Sequence, residues 1–182
     1  MKLPVKISAI AFAAALLAAC TPATITPSEN TFSLSETQLV AKDFRDMCLK
    51  TLPTFAGFTK TGEAKGYKRE NFSGLDNVSF VGGDKKRAVV LAEQKGGRGC
   101  GVAFFGPEDT AGVGATFLKE AQRATRGNAL RRIDHDFFSS VYRLRNGSLL
   151  THLVRRKRGG VRHIILISPP LRDDQVAAYI YD

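Results

Sequence analysis

The stretch FFSSVYRLRNGSLLTHLVRRKRGGVRHIILIS, residues 137–168, decides the fold of this 182-residue chain. It contains three largely apolar runs of strand length: Phe137–Leu144, Ser148–Arg156 and Val161–Ser168. Asn146-Gly147 separates the first two runs, and Arg158-Gly159-Gly160 separates the last two. Both separators are typical of tight hairpin turns. The stretch therefore predicts three antiparallel strands, and a type I′ turn centred on Asn146-Gly147 places Leu144 opposite Leu149.

Helix and strand patterns also occur outside this stretch. Val40, Phe44, Met47 and Cys48 fall on one helical face and predict a first helix, from Ser33 to a point before Pro53. The glycine-interrupted stretch from 54 to Val78 is predicted to be a loop. The remaining patterns predict strands at Val78–Val81, Arg87–Ala92 and Cys100–Phe105, a helix between Pro107 and Gly127, and a short helix from Asp173 to Tyr181.

The predicted order is α-β-β-β-α-β-β-β-α, with about three helices. Runs of strands joined by hairpins, with helices kept separate, indicate an α+β fold, here a two-layer sandwich built on an antiparallel sheet. Residues 33–182 have the length of a single globular domain. A helix followed by three strands occurs twice, which suggests an internal duplication of the architecture.

The densest group of charged residues is basic and surrounds the two predicted turns. The chain holds 27 lysines and arginines against 17 acidic residues, and two of the lysines lie in residues 1–19. Because arginine forms two-pronged hydrogen bonds with phosphate and carboxylate, the group predicts an anion-docking surface. The alternative is an edge hairpin that uses charge to prevent aggregation between sheets. The candidate residues are Arg143, Arg145, Arg155, Arg156, Lys157, Arg158 and Arg162.

Catalytic and metal-binding patterns are weak in this sequence. His152 and His163 fall on neighbouring predicted strands and on the same face, but no third ligand for a zinc ion is evident. Ser139 and Ser140 lie nearest to His152, and no acid is placed to orient that histidine. None of the common hydrolase motifs occurs after residue 20. We therefore predict a protein that is not an enzyme and has no metal and no cofactor.

The N-terminus resembles the signal of a bacterial lipoprotein. Lys2 and Lys6 precede an apolar run, and Leu17-Ala18-Ala19-Cys20 is similar to a lipobox. The resemblance implies a signal peptide at residues 1–19, a lipidated Cys20 and a flexible tether at residues 20–32. Thr21 follows the cysteine in place of aspartate, which is similar to the pattern of lipoproteins sent to the outer membrane of Gram-negative bacteria.

If Cys20 carries lipid, two cysteines remain. An oxidising compartment then favours a disulfide between Cys48 and Cys100. The region after residue 20 is loosely similar to small envelope proteins of Proteobacteria that carry one cysteine on a helix and another on a later strand. That resemblance implies no activity.

Two functions follow from these observations as hypotheses. The first is a lipid-anchored protein, facing the periplasm from the outer membrane, that docks an anionic lipid, glycan or acidic protein through its basic hairpin. The second is a structural or assembly subunit of an outer-membrane complex, because apolar residues occur on both faces of the predicted sheet. Nucleic acid is not an expected partner in that compartment.

Overall fold

The computed structural model describes residues 34–70, 78–82, 86–94, 97–158 and 160–181. The predicted signal peptide, Cys20, the tether and Ser33 all lie outside these residues. The elements are α1 (Leu34–Phe44), which continues as a π-helical turn (Arg45–Leu49), then α2 (Phe58–Ala64), β1 (Lys68–Glu70), β2 (Val78–Val81), β3 (Arg87–Gln94), β4 (Gly97–Gly106), α3 (Thr110–Ala124), β5 (Ala129–Ile133), β6 (Ser140–Leu144), β7 (Leu149–Lys157), β8 (Gly160–Ile167) and α4 (Asp173–Tyr181).

Within the described residues, eight strands form one antiparallel sheet in the order β1-β2-β3-β4-β8-β7-β6-β5. Strands β1–β4 form one meander and β5–β8 form a second. The last strands of the two meanders, β4 and β8, pair at the centre of the sheet. The predicted α+β class with an antiparallel sheet is therefore confirmed.

The main core lies between α1, α2 and α3 and one face of the sheet, which we call the inner face. The predicted face of the first helix is confirmed, since Val40, Phe44, Met47 and Cys48 are almost completely buried. The ring of Phe117 on α3 packs against Phe44, with ring centroids 5.4 Å apart. A disulfide joins Cys48 to Cys100 on β4, so this predicted bond is present. It fixes the first helical segment to the middle of the sheet.

The opposite, outer face of the sheet is covered at one end by α4. Val176, Tyr179 and Ile180 of α4 form a second buried cluster with Val141 of β6 and Leu149 of β7. The prediction of only two layers is therefore wrong at this end, where helices lie on both faces. Asp173 and Asp174 begin α4, where the partial positive charge of a helix N-terminus favours acidic side chains.

Three short elements were missing from the predicted order. Helix α2 is seven residues long and contains Gly62, which packs against Phe80 and leaves no room for a side chain. Strands β1 and β5 are edge strands, in which arginine, lysine or glutamate interrupts the apolar alternation. Each of these elements is specified by its neighbours in the fold more than by its own sequence pattern.

The turn between β6 and β7 also differs from the prediction. Leu149 lies opposite Arg143, and Leu144 is not its partner. The Asn146 side-chain oxygen accepts a hydrogen bond from the Ser148 N–H (3.0 Å), and the Leu144 N–H donates to the Ser148 carbonyl (2.8 Å). The loop is consequently longer than a two-residue turn. Because side chains alternate along a strand, this register places Arg143 on the outer face beside α4.

The suspected duplication is visible in the architecture: a helical segment and four strands occur twice. The β3–β4 and β7–β8 hairpins match in detail, because Gln94 pairs with Gly97 and Lys157 pairs with Gly160, 63 positions later. Both glycines have similar positive φ angles, +123° and +120°, which a side chain would strain. The sequence carries a trace of the repeat, since Lys95-Gly96-Gly97 corresponds to Arg158-Gly159-Gly160.

Candidate anion-binding site

Five of the seven predicted anion-binding residues lie together at the tip of the β7–β8 hairpin. All five are exposed. Arg155 lies directly opposite Arg162 in the sheet, and Arg156 lies opposite Val161. Since strands in a sheet are about 5 Å apart, these positive charges share a small area. We call this group the hairpin cluster: Arg155, Arg156, Lys157, Arg158 and Arg162.

Few acidic groups balance the hairpin cluster. The one ion pair of the cluster among the described residues joins Arg156 Nη1 to Glu108 Oε1 at 3.7 Å, and both side chains are largely exposed. Exposed ion pairs of this kind contribute less than about 1 kcal/mol to the stability of a fold. Like charges directly opposite each other, such as Arg155 and Arg162, destabilise a strand pair. The cluster therefore carries a net positive charge that the described part of the fold leaves largely uncompensated.

An exposed phenylalanine lies beside the hairpin cluster. Phe137 is 56% exposed, and the Arg155 guanidinium lies over its ring, 5.7 Å from the centroid. The sequence prediction placed Phe137 in a strand, but the strand begins at Ser140 and Phe137 belongs to the preceding loop. The adjacent pair Phe137-Phe138 was the available signal, because only one of two successive aromatic residues in a strand can face the core.

The remaining two predicted residues do not join the cluster. Arg143 and Arg145 lie at the other end of β7, about 25 Å away by the rise per residue of a strand. Arg143 is almost buried; its Nη2 donates to the Leu171 carbonyl oxygen (2.6 Å) and lies 3.3 Å from Asp173 Oδ1. The candidate residues, whose continuity the sequence leaves open, are therefore divided between two sites, and Arg143 holds the segment that leads into α4.

The two histidines lie on neighbouring strands and on the same face of the sheet, as predicted, and the structure brings them into contact. His152 Nε2 lies 3.0 Å from His163 Nδ1, and His163 Nε2 lies 2.9 Å from the Pro107 carbonyl oxygen. Because a carbonyl only accepts, His163 carries its proton on Nε2 and accepts from His152 Nε2–H at Nδ1. The chain of hydrogen bonds connects β7, β8 and the residues that precede α3.

Both histidines are buried, and their surroundings keep them neutral near pH 7. Burial, and secondarily a positive charge on His163, lowers the pKa of His152 to about 4. Burial also lowers the pKa of His163, although its hydrogen bond to the Pro107 carbonyl acts in the opposite direction. No group of three His, Cys, Asp or Glu side chains suited to a metal ion occurs among the residues that the structure describes. The geometry accounts for the pair as a structural link between the sheet and α3.

None of the described helices is long and apolar enough to cross a membrane. Comparison of the chain with protein-family models, with curated proteins and with solved structures gives no match.

Proposed function

We propose that this protein is a lipid-anchored, non-enzymatic envelope protein that docks an anionic component of the envelope through the hairpin cluster. Cys20 would carry the anchor, and Arg155, Arg156, Lys157, Arg158 and Arg162 would contact the anion. The observation that carries the proposal is the concentration of five exposed cationic side chains at one hairpin tip, where the one ion pair among the described residues is the exposed contact of Arg156 with Glu108. The guanidinium groups of the four arginines suit phosphate and carboxylate oxygens, and Lys157 adds a fifth positive charge.

The β3–β4 hairpin supports this proposal as an internal reference. The residues that match the hairpin cluster, 63 positions earlier, are Ala92, Glu93, Gln94, Lys95 and Gly99. In that hairpin Glu93 Oε1 also forms an ion pair of 2.5 Å with Arg98. The same local fold is thus built with almost no net charge, so the charge at β7–β8 is not a requirement of the hairpin.

The proposal is tested by sedimenting the protein with isolated envelopes at low and high salt. The chain carries Cys20→Ser, so that no lipid anchor contributes to binding. Near an anionic surface each cation contributes about 1 kcal/mol, so R156Q/K157Q/R158Q should weaken binding by about a hundredfold or more. A control with the same loss of charge, K42Q/K60Q/K119Q, neutralises exposed lysines on α1, α2 and α3. Because those lysines lie on separate helices, the control should retain most of the affinity.

The second candidate is a structural subunit that contacts a protein partner through the outer face of the sheet. Ala88, Val90, Ala103, Ile164 and Leu166 lie on the outer face of β3, β4 and β8 and are only partly buried. A contact of this kind is apolar and survives high salt. Binding to envelopes that resists salt and is unchanged by R156Q/K157Q/R158Q would contradict the anion-docking proposal and favour this candidate.

A further inference from the structure

A second arginine site lies at the end of the sheet opposite the hairpin cluster. It is an open cleft of about 490 Å³ between the first half of β5, the β6–β7 turn and the start of α4. Arg131, Arg143 and Arg145 line it together with Asp173 and the side chain of Leu130, which is 63% exposed. Arg131 and Arg143 are direct partners in the β5–β6 pairing, so two of these cations face each other across adjacent strands.

The fold holds two of the three arginines in place. Arg143 is 9% exposed and is fixed through Nη2 by the Leu171 carbonyl and the Asp173 carboxylate. The stem of Arg145 lies on Gly127, where a Cβ would approach the Arg145 Cδ to 2.7 Å. Gly127 thus leaves room for Arg145 to lie against the surface. A binding site gains affinity when its side chains are positioned before the ligand arrives.

One hydrogen-bonding group of the site has no partner within the described part of the chain. Arg143 Nη1 is buried and, among the described residues, makes no hydrogen bond. Buried polar atoms are nearly always paired, so an unpaired guanidinium nitrogen in a side chain that lines a cleft indicates a missing acceptor. Asp173 supplies an oxygen to Nη2 only.

We propose that this cleft binds a phosphate monoester group, with Arg143 as the fixed anchor and Arg131 and Arg145 closing on its oxygens. The three arginines and Asp173 leave a local charge of two positive units. A phosphate monoester carries between about 1.5 and 2 negative charges near pH 7, whereas a carboxylate or a phosphate diester carries one. The dianion therefore compensates the site more completely. The group can belong to a small soluble molecule or to a lipid headgroup.

The test measures binding of inorganic phosphate and of glycerol phosphate to the purified protein by calorimetry. We expect saturable binding at one site per chain, stronger at pH 7.5 than at pH 5, because the second pKa of phosphate is about 6. R131Q/R145Q should weaken it at least about tenfold, since each lost guanidinium removes charge-assisted hydrogen bonds. Both side chains are exposed, so this variant keeps the fold, as thermal unfolding will verify.

K42Q/K60Q is the matched control: it removes the same number of positive charges from exposed side chains on α1 and α2, and it should bind phosphate as the unchanged protein does. Absence of saturable binding, or equal binding by R131Q/R145Q, would overturn the proposal without affecting docking by the hairpin cluster. Vesicles that contain either phosphatidic acid, a monoester, or phosphatidylglycerol, a diester, distinguish a lipid source from a soluble one. A preference for the monoester vesicles that R131Q/R145Q abolishes would identify a lipid headgroup; equal, R131Q/R145Q-independent binding of both would restrict the site to soluble phosphate monoesters.

Discussion

The two halves of the molecule repeat one architecture, yet different chemistry holds each of them together. Position 100 on β4 is Cys100, which forms the disulfide with Cys48. The matching position on β8, 63 residues later, is His163, which bonds to His152 and to the Pro107 carbonyl. A covalent bond and a chain of hydrogen bonds thus serve equivalent places in the sheet. We therefore expect the first half to be sensitive to reduction and the second half to acid.

The hairpins of the two halves also share a backbone and differ in side-chain chemistry, here in charge. The β3–β4 tip pairs Glu93 with Arg98, whereas the β7–β8 tip places Arg155 opposite Arg162. Both form the same register and the same glycine conformation. Folding therefore explains the backbone of both hairpins but not the charge of the second, and that excess charge is the best indication of a function.

Removal of the disulfide is expected to have the largest effect on this comparison. Cys48 and Cys100 are 52 positions apart, and closing a loop of that length lowers the free energy of the folded relative to the unfolded chain by about 4 kcal/mol. C48A/C100A should therefore lower the free energy of unfolding by about that amount in urea titrations. A reductant should destabilise the unchanged protein and have no effect on the variant. Equal stability of the two proteins without reductant would show that the bond does not support the first half.

Acid should act through the histidine pair of the second half. Because the pKa of folded His152 is lowered from 6.5 to about 4, the unfolded chain binds more protons between those values. Stability is therefore complete above pH 6.5 and falls as the pH decreases towards 4, by about 3 kcal/mol for this shift. In H152Q the amide N–H can still donate to His163, and most of this pH dependence should disappear. H135Q, which changes the histidine outside the pair, is the control. An unchanged pH dependence in H152Q would contradict the assignment of the acid sensitivity to His152.

Helix α4 covers the outer face only in the second half, and Arg143 fixes its start. R143Q removes charge-assisted bonds to the Leu171 carbonyl and to Asp173, so we expect a loss of about 2 kcal/mol in the free energy of unfolding. In R143Q, the hydrogen exchange of backbone amides should accelerate more in α4 than in β4. R145Q is the matched control, because Arg145 is exposed and should change stability by less than about 0.5 kcal/mol. Unchanged exchange of α4 in R143Q would show that the apolar contacts suffice.

The smallest expected change in stability comes from R155E, which separates the effect of the hairpin charge on folding from its effect on binding. R155E places an acid opposite Arg162, as Glu93 lies opposite Arg98, and should raise the free energy of unfolding by about 0.5 kcal/mol. The same change should weaken binding to isolated envelopes. E93Q in the first hairpin should lower stability by a similar amount and leave binding unchanged. A variant R155E that is less stable than the unchanged protein would refute the claim that the cluster is unfavourable for folding.

Much of this fold follows from local sequence patterns. The apolar face of α1, the turn glycines at 96–97 and 159–160 and the apolar runs of β2, β3, β4, β7 and β8 were sufficient to predict a helix-and-hairpin fold. The edge strands β1 and β5 were missed because their charged residues are tolerated only where a neighbouring strand supplies the pairing. The position of α4 on the outer face could not be predicted, because it depends on the register of the β6–β7 hairpin.

The candidate site was predictable in composition and not in extent. Charge density alone identifies the hairpin cluster, but sequence distance does not show that Arg143 and Arg155 lie at opposite ends of β7. The turn at Arg145–Ser148 decides which face of the sheet Arg143 occupies, through the Asn146 side chain and the longer loop. Phe137 was missed because its exposure depends on where β6 begins. The unpaired Arg143 Nη1 has no sequence signal at all.

The most direct test of the central claim compares the affinity for anionic vesicles of variants that have lost charge in one hairpin or in the other. The Cys20→Ser chain, its R156Q/K157Q/R158Q variant and its R98Q variant are titrated with vesicles of phosphatidylglycerol and phosphatidylethanolamine, at low and high salt. We expect tight binding at low salt that salt abolishes, a loss of about a hundredfold in the β7–β8 variant and little change in R98Q. Equal affinity of all three proteins for these vesicles would contradict the claim that the hairpin cluster docks an anionic surface.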